Sequence, residues 1–123
     1  MAKQSVSEKP IERGTASAPP PIEEYIESGW THYSKKEYFR AEADFQKALA
    51  IIPNHPDTLY ALGMTQQASG KQQDAISTFE KVIGVLQDAN DIDYVRVHML
   101  TRLARGHINR MRTGDWGLDM DKQ

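Results

Sequence analysis

Apolar residues recur along this chain at helical intervals, in blocks separated by short polar, glycine- or proline-bearing breaks. Tyr25, Ile26, Gly29, Trp30 and Tyr33 share one side of a helix predicted over 22–34. Glu23, Glu24 and Glu27 crowd its start, where carboxylates meet the positive end of the helix dipole. Lys35-Lys36-Glu37 makes a turn, and a second helix is predicted over 38–51, with Ala41, Phe45, Ala48 and Leu49 as its buried stripe. Pro53 and Pro56 bracket a short connection in which Asn54 is a candidate cap for a third helix over 57–69. Gly70 would end that helix. A fourth is predicted over 73–86, with Ala75, Ile76, Phe79, Val82 and Ile83 inward. Connections this short make successive helices antiparallel.

The pattern also repeats itself. Tyr25, Gly29, Ala41, Phe45, Lys47, Ala48 and Leu49 return 34 residues later, same or similar, as Leu59, Gly63, Ala75, Phe79, Lys81, Val82 and Ile83. Self-similarity at a fixed period is the mark of a repeat architecture, in which each unit buries its apolar face on its neighbours. The first unit reads Tyr25, Ser28-Gly29, Ala41, Phe45, Ala48, Pro53; the second reads Leu59, Leu62-Gly63, Ala75, Phe79, Val82. On these positions the chain resembles the tetratricopeptide repeat family over residues 22–89, and in weaker form over 91–117. It departs from the family at Ser28, where Leu is usual, at His32 and Gln66, where Tyr is usual, and at Gln87, where the second unit would end in Pro.

The third unit is irregular. Gly114-Asp115-Trp116 looks like the turn at Gly70-Lys71-Gln72, but the separation is 44 rather than 34. Asn90 or Asp91 would cap a long helix over 92–112, whose apolar side is Ile92, Val95, Met99, Leu103, Ile108 and Met111. This helix is either the first half of a third repeat or a terminal cap; stacks need polar-faced ends. Trp116 and Leu118 are expected to fold back on the preceding helices. The resemblance thus implies an all-α fold of helical hairpins in a right-handed superhelical stack, with two full repeats plus a long third-unit or capping helix. The expected organisation is a disordered, Pro- and Ser-containing leader over 1–21 and a repeat domain over 22–118, divided at 22–55, 56–89 and 90–118, with a frayed tail over 119–123.

Composition narrows the function. The chain has 123 residues, no Cys and a net charge of -2, so neither disulfides nor thiolate metal sites arise and general polyanion binding is disfavoured. No apolar run is long enough to span a membrane, and the N-terminus lacks the apolar core of a signal peptide, so a cytoplasmic location is expected. His32, His55, His98 and His107 are dispersed, and no His-Glu-x-x-His pattern, phosphate-binding Gly loop or nucleophile elbow is present. The expectation is a non-enzyme with no catalytic residue, cofactor or metal.

The resemblance implies a binding surface instead. In the family, the first helix of each pair lines a concave groove, which here would carry Ile26, Trp30 and Tyr33, then Tyr60, Met64 and Gln67, with Arg105, Ile108 and Arg112 from the long helix. Aromatics, Met and Arg are the residue types enriched at recognition centres, and such a groove suits a partner helix or extended peptide. The family's clamp for a C-terminal carboxylate uses Lys and Asn at positions held here by Ile26, Trp30 and Ala61, so that activity is disfavoured. The long helix also carries Arg96, Arg102, Arg105, Arg110 and Arg112 with no acid between Val95 and Arg112, a basic face for an acidic or phosphorylated group. The leading expectation is an adaptor or assembly factor that binds a protein or peptide. The alternative is a self-associating structural protein, a homo-oligomer whose groove or charged ends its own copies occupy. Nucleic-acid binding through the Arg run is the weakest reading, since no accompanying motif supports it.

Overall fold

The computed structural model describes residues 21–88 and 93–114. The expected leader, the candidate caps Asn90 and Asp91, and the fold-back of Trp116 and Leu118 lie outside the described residues. Within them the chain forms five helices and no strand: α1 (Ile22–Ser34), α2 (Tyr38–Ile51), α3 (Pro56–Ala68), α4 (Gln72–Asp88) and α5 (Tyr94–Thr113). Each helix packs on the next, in a row that runs from α1 to α5.

The two hairpins share one packing device. Phe45 of α2 and Phe79 of α4 are fully buried, and each ring lies against a glycine of the preceding helix. A β-carbon on Gly29 would stand 2.5 Å from Cε1 of Phe45, and one on Gly63 would stand 2.8 Å from Cε1 of Phe79. Glycine is therefore required by close approach, at the cost of helix propensity. The first core cluster joins Ala41, Phe45, Ala61 and Leu62, so α3 closes onto the first hairpin. The second runs from Leu59 through Ala75, Ile76, Phe79, Val82 and Leu86 to Leu100, Ala104 and Ile108, and so binds α5 to the second hairpin. Burying each Phe contributes roughly 2–3 kcal/mol at the usual apolar-area coefficient.

The turns repeat as well. After α1, Lys36 adopts φ 63, and its N–H donates to the Tyr33 carbonyl while that of Glu37 donates to His32. After α3, Gly70 adopts φ 88, with the N–H groups of Gly70 and Lys71 donating to Gln67 and Gln66. These are left-handed helix stops of one design.

One boundary differs from expectation for an identifiable reason. Pro56 starts α3 and restricts the residue before it to extended backbone, so the N-cap falls on His55 (φ -67, ψ 114) rather than Asn54. Asn54 instead takes the left-handed conformation at φ 62. At the start of α5, Asp93 accepts hydrogen bonds from the N–H groups of Val95 (2.8 Å) and Arg96 (3.4 Å) and caps the helix at Tyr94; the expected start at Ile92 lies outside the described residues.

Candidate binding surface on the first helices of the repeats

Ile26, Trp30 and Tyr33 stand at i, i+4 and i+7 on α1, and Tyr60, Met64 and Gln67 hold the same spacing on α3. Each trio therefore forms a stripe along its helix. The α1 stripe is anchored from below. Trp30 meets Phe45 and Tyr33 edge to face, with centroids 5.3 Å apart in both pairs, and Tyr33 meets Tyr38 at 5.5 Å. Ile26 and Tyr33 are half-buried on the first core cluster, while Trp30 leaves 37% of its surface exposed. On α3, Tyr60 and Met64 are half-buried on the second cluster, and Tyr60 meets Phe79 edge to face at 5.6 Å.

Both phenols stay neutral over the physiological range. Burial, then the neighbouring Tyr38, pushes the Tyr33 hydroxyl above its ordinary value; burial, then Tyr33, does the same for Tyr60. Helices α1 and α3 also touch directly, so the two stripes lie on neighbouring helices. They form a row of apolar bodies with hydroxyl edges, held by the core beneath.

Helix α5 meets this row through residues that differ from those the basic run suggests. The Tyr60 hydroxyl lies 3.0 Å from Nε2 of His107, whose ring stacks flat on Phe79. Arg110 borders a crevice of about 360 Å³ with Gln67, Gly70, Gln72 and Met111. Arg105 and Arg112 line a different crevice, of about 250 Å³, with Glu80, Ile83, Ile108 and Asn109 along the α4–α5 seam, and Arg112 bonds Glu80 at 2.8 Å. Arg96 pairs with Asp57 at the start of α3, beside a pocket of about 190 Å³ that His55, Pro56, Leu86 and Leu100 also line. The structure thus divides the basic run among several surroundings. Arg102, Arg105 and Arg110 form no ion pair with any described residue.

His107 has no place in a reading of charge, yet it joins α3, α4 and α5. Burial and the nearby Arg110 hold its pKa below the ordinary 6.5, so it is a neutral packing residue at pH 7. The signal for it was positional. It falls between Ala104 and Ile108 on one side and Met111 on the other, within the stripe that packs on the second hairpin.

The departures from the repeat pattern at His32 and Gln66 are likewise structural. His32 Nδ1 lies 2.7 Å from Glu37 and its Nε2 lies 3.7 Å from Asp44, which also accepts from the Ser28 hydroxyl. Thirty-four residues on, Gln66 is buried, accepts from the Thr78 hydroxyl at 2.7 Å and donates to Glu42 at 3.5 Å. Thr78 is the repeat equivalent of Asp44, so one position serves as a polar cross-link in both hairpins.

Among the described residues no group of three His, Asp or Glu side chains is placed to hold a metal ion, and no helix is long and apolar enough to cross a membrane. Residues 29–88 match the tetratricopeptide repeat family. No curated protein and no solved structure matches the chain.

Proposed function

Residues 29–88 of this chain belong to the tetratricopeptide repeat family, and from that premise we propose that it is a protein-interaction module that takes a partner segment along the first helices of its repeats. The observation that carries the reading is the row of Trp30, Tyr33, Tyr60 and Met64. It is rigidly backed by Phe45 and Phe79, and Trp30 presents more than a third of its surface outward. Large, preorganised aromatic surface is what recognition hot spots are made of, because few rotamers are frozen on binding. Ile26 extends the row at one end, and Gln67 with Arg110 supplies a polar, cationic edge at the other. Arg105 and Arg112 belong to the α4–α5 seam and are assigned no part in it.

Selection of a random displayed peptide library on the full chain tests the reading. Enriched peptides should bind the wild type and lose at least about tenfold in affinity on Trp30→Ala or Met64→Glu, the loss expected for a central contact. Both variants should retain the helical circular-dichroism signal. Peptides that bind both variants as well as the wild type would place recognition elsewhere.

A further inference from the structure

The two end helices of the row carry opposite charges on faces that suit each other. Glu24 and Glu27 are exposed on α1, and neither forms an ion pair with a described residue. The repeat gives this face a meaning. Thirty-four residues on, Thr58, Ala61, Leu62 and Thr65 occupy the positions of Glu24, Glu27, Ser28 and Thr31. All four α3 residues are buried, and Ala61 and Leu62 pack into the cluster built on Ala41 and Phe45 of α2. The Glu24–Glu27 face is therefore the one that, in the next repeat, lies against the preceding helix. On α1 that face is charged and no described helix covers it.

At the other end, α5 packs on α4 through Leu100, Ala104 and Ile108. Arg102 and Arg105 are exposed and without an acidic partner among the described residues; Arg105 also borders the crevice along the α4–α5 seam, so the pair runs from the edge of that seam to the outer side of α5. They share the three-residue spacing of Glu24 and Glu27, so each pair projects from one side of its helix. Tyr94, Val95 and Met99, toward the start of α5, are exposed at 75%, 72% and 51%.

An antiparallel approach matches charge to charge. The short α2–α3 connection makes those helices antiparallel, and α1 meets a preceding helix in the same sense. The acidic first half of α1 then lies along the basic second half of α5. From the middle of the Glu pair to the end of α1, and from the middle of the Arg pair back to Val95, each distance is about 13 Å at 1.5 Å per residue.

We propose that the chain associates head to tail with a second copy of itself, the Glu24–Glu27 face of α1 docking antiparallel on the Arg102–Arg105 face of α5 of the next molecule. Such a contact uses two different patches, so it propagates as an open chain rather than closing as a symmetric dimer. It leaves the Trp30–Tyr60 row uncovered and is independent of that row's function.

Sedimentation velocity on the full chain tests this, with Glu24→Lys/Glu27→Lys and Arg102→Glu/Arg105→Glu as charge-reversed variants. The wild type should gain weight-average mass by about twofold or more with rising concentration at low salt, and lose it at high salt. Each variant alone should remain monomeric, since it brings like charges together. An equimolar mixture of the two should associate again, because each then offers the other an opposite face. Glu24→Gln/Glu27→Gln weakens association without repulsion and serves if a reversed variant misfolds. A wild type that stays monomeric at every concentration overturns the proposal. So does association that the reversals leave intact, or a mixture that fails to associate where the wild type does.

Discussion

His107 of α5 lies flat on Phe79 of α4, with ring centroids 4.7 Å apart and planes 4° from parallel. The same imidazole reaches the Tyr60 hydroxyl on α3 at 3.0 Å. One side chain thus ties the last described helix to both members of the second hairpin. His107→Ala should cost about 1–3 kcal/mol, the loss of an aromatic stack plus a half-buried hydrogen bond. His107→Gln, which keeps a polar group in reach of Tyr60, should cost less. Urea unfolding with unchanged slope checks both; equal losses for the two variants would deny the hydrogen bond any role.

The same residue sets a pH dependence. Burial and then Arg110 lower the pKa of His107; burial and then Arg96 lower that of His55, with Glu23 opposing. The unfolded chain takes up these protons near the ordinary 6.5, whereas the folded chain resists until lower pH. In that interval the unfolded state binds more protons, so stability falls as pH drops through 6.5 and levels off below the folded values. The urea midpoint should therefore decline from pH 7.5 to 5.5 in the wild type, after allowance for other groups, and decline less in His107→Gln. A midpoint equally steep in that variant would refute the assignment to His107.

Much of this fold is legible in the sequence because the 34-residue recurrence carries packing information directly. A glycine one helix before a phenylalanine, twice over, specifies which faces meet, and α1 to α4 follow within two residues of their predicted ends. The surroundings of α5 were not legible in the same way. Its arginines read as one basic face in one dimension, but residues seven apart, such as Arg105 and Arg112, turn to the α4 seam while Arg110 turns to Gln67. Without a second copy of α5 in the chain, only its apolar spacing bears on its rotation: Ile108 and Met111 do pack on the second hairpin, but Val95 and Met99, read on the same side, are exposed. Gln66 was also opaque, since a polar residue at an aromatic position gives no hint of Thr78 and Glu42 waiting for it.

Gln66 should resist apolar replacement. Its side chain is buried and bonded to Thr78 and Glu42, and Glu42 also pairs with Lys71 at 2.9 Å. Gln66→Leu takes the acceptor from the part-buried Thr78 hydroxyl and leaves Glu42 with Lys71 alone, at an expected cost of about 1–3 kcal/mol. In the double variant with Thr78→Val, the second change should cost less than Thr78→Val does in the wild type, because the bond between them is already lost. Additive losses in that cycle would exclude the coupling.

The repeat glycines separate packing from propensity. Alanine normally stabilises a helix interior over glycine by about 1 kcal/mol. At Gly29 and Gly63 the added carbon would meet a fully buried Phe ring at 2.5 Å and 2.8 Å. Overpacking should exceed the propensity gain there, so each Ala variant should lose about 1–2 kcal/mol. At Gly84 of α4 nothing lies within 4 Å of such a carbon. Gly84→Ala should therefore raise the melting temperature while the other two lower it, and a common sign for all three would contradict the close approach.

Lys36 and Gly70 occupy the same place in successive turns, and only one of them is a glycine. A side chain in left-handed backbone costs about 1–2 kcal/mol, whereas glycine adds about 0.5–1 kcal/mol of unfolded-state entropy. Lys36→Gly should thus stabilise the chain by roughly 0.5–1 kcal/mol, the difference between those terms. Gly70→Ala should destabilise it by about 1 kcal/mol or more, although nothing lies within 4 Å of the added carbon, so the penalty is conformational rather than steric contact. Both carbonyl pairs that these turns satisfy, Tyr33 with His32 and Gln67 with Gln66, should stay bonded throughout. Amide hydrogen exchange at Glu37 and Lys71 reports on those bonds. Faster exchange at Glu37 in Lys36→Gly, together with lower stability, would mean that the lysine side chain holds the turn and that backbone strain does not govern it.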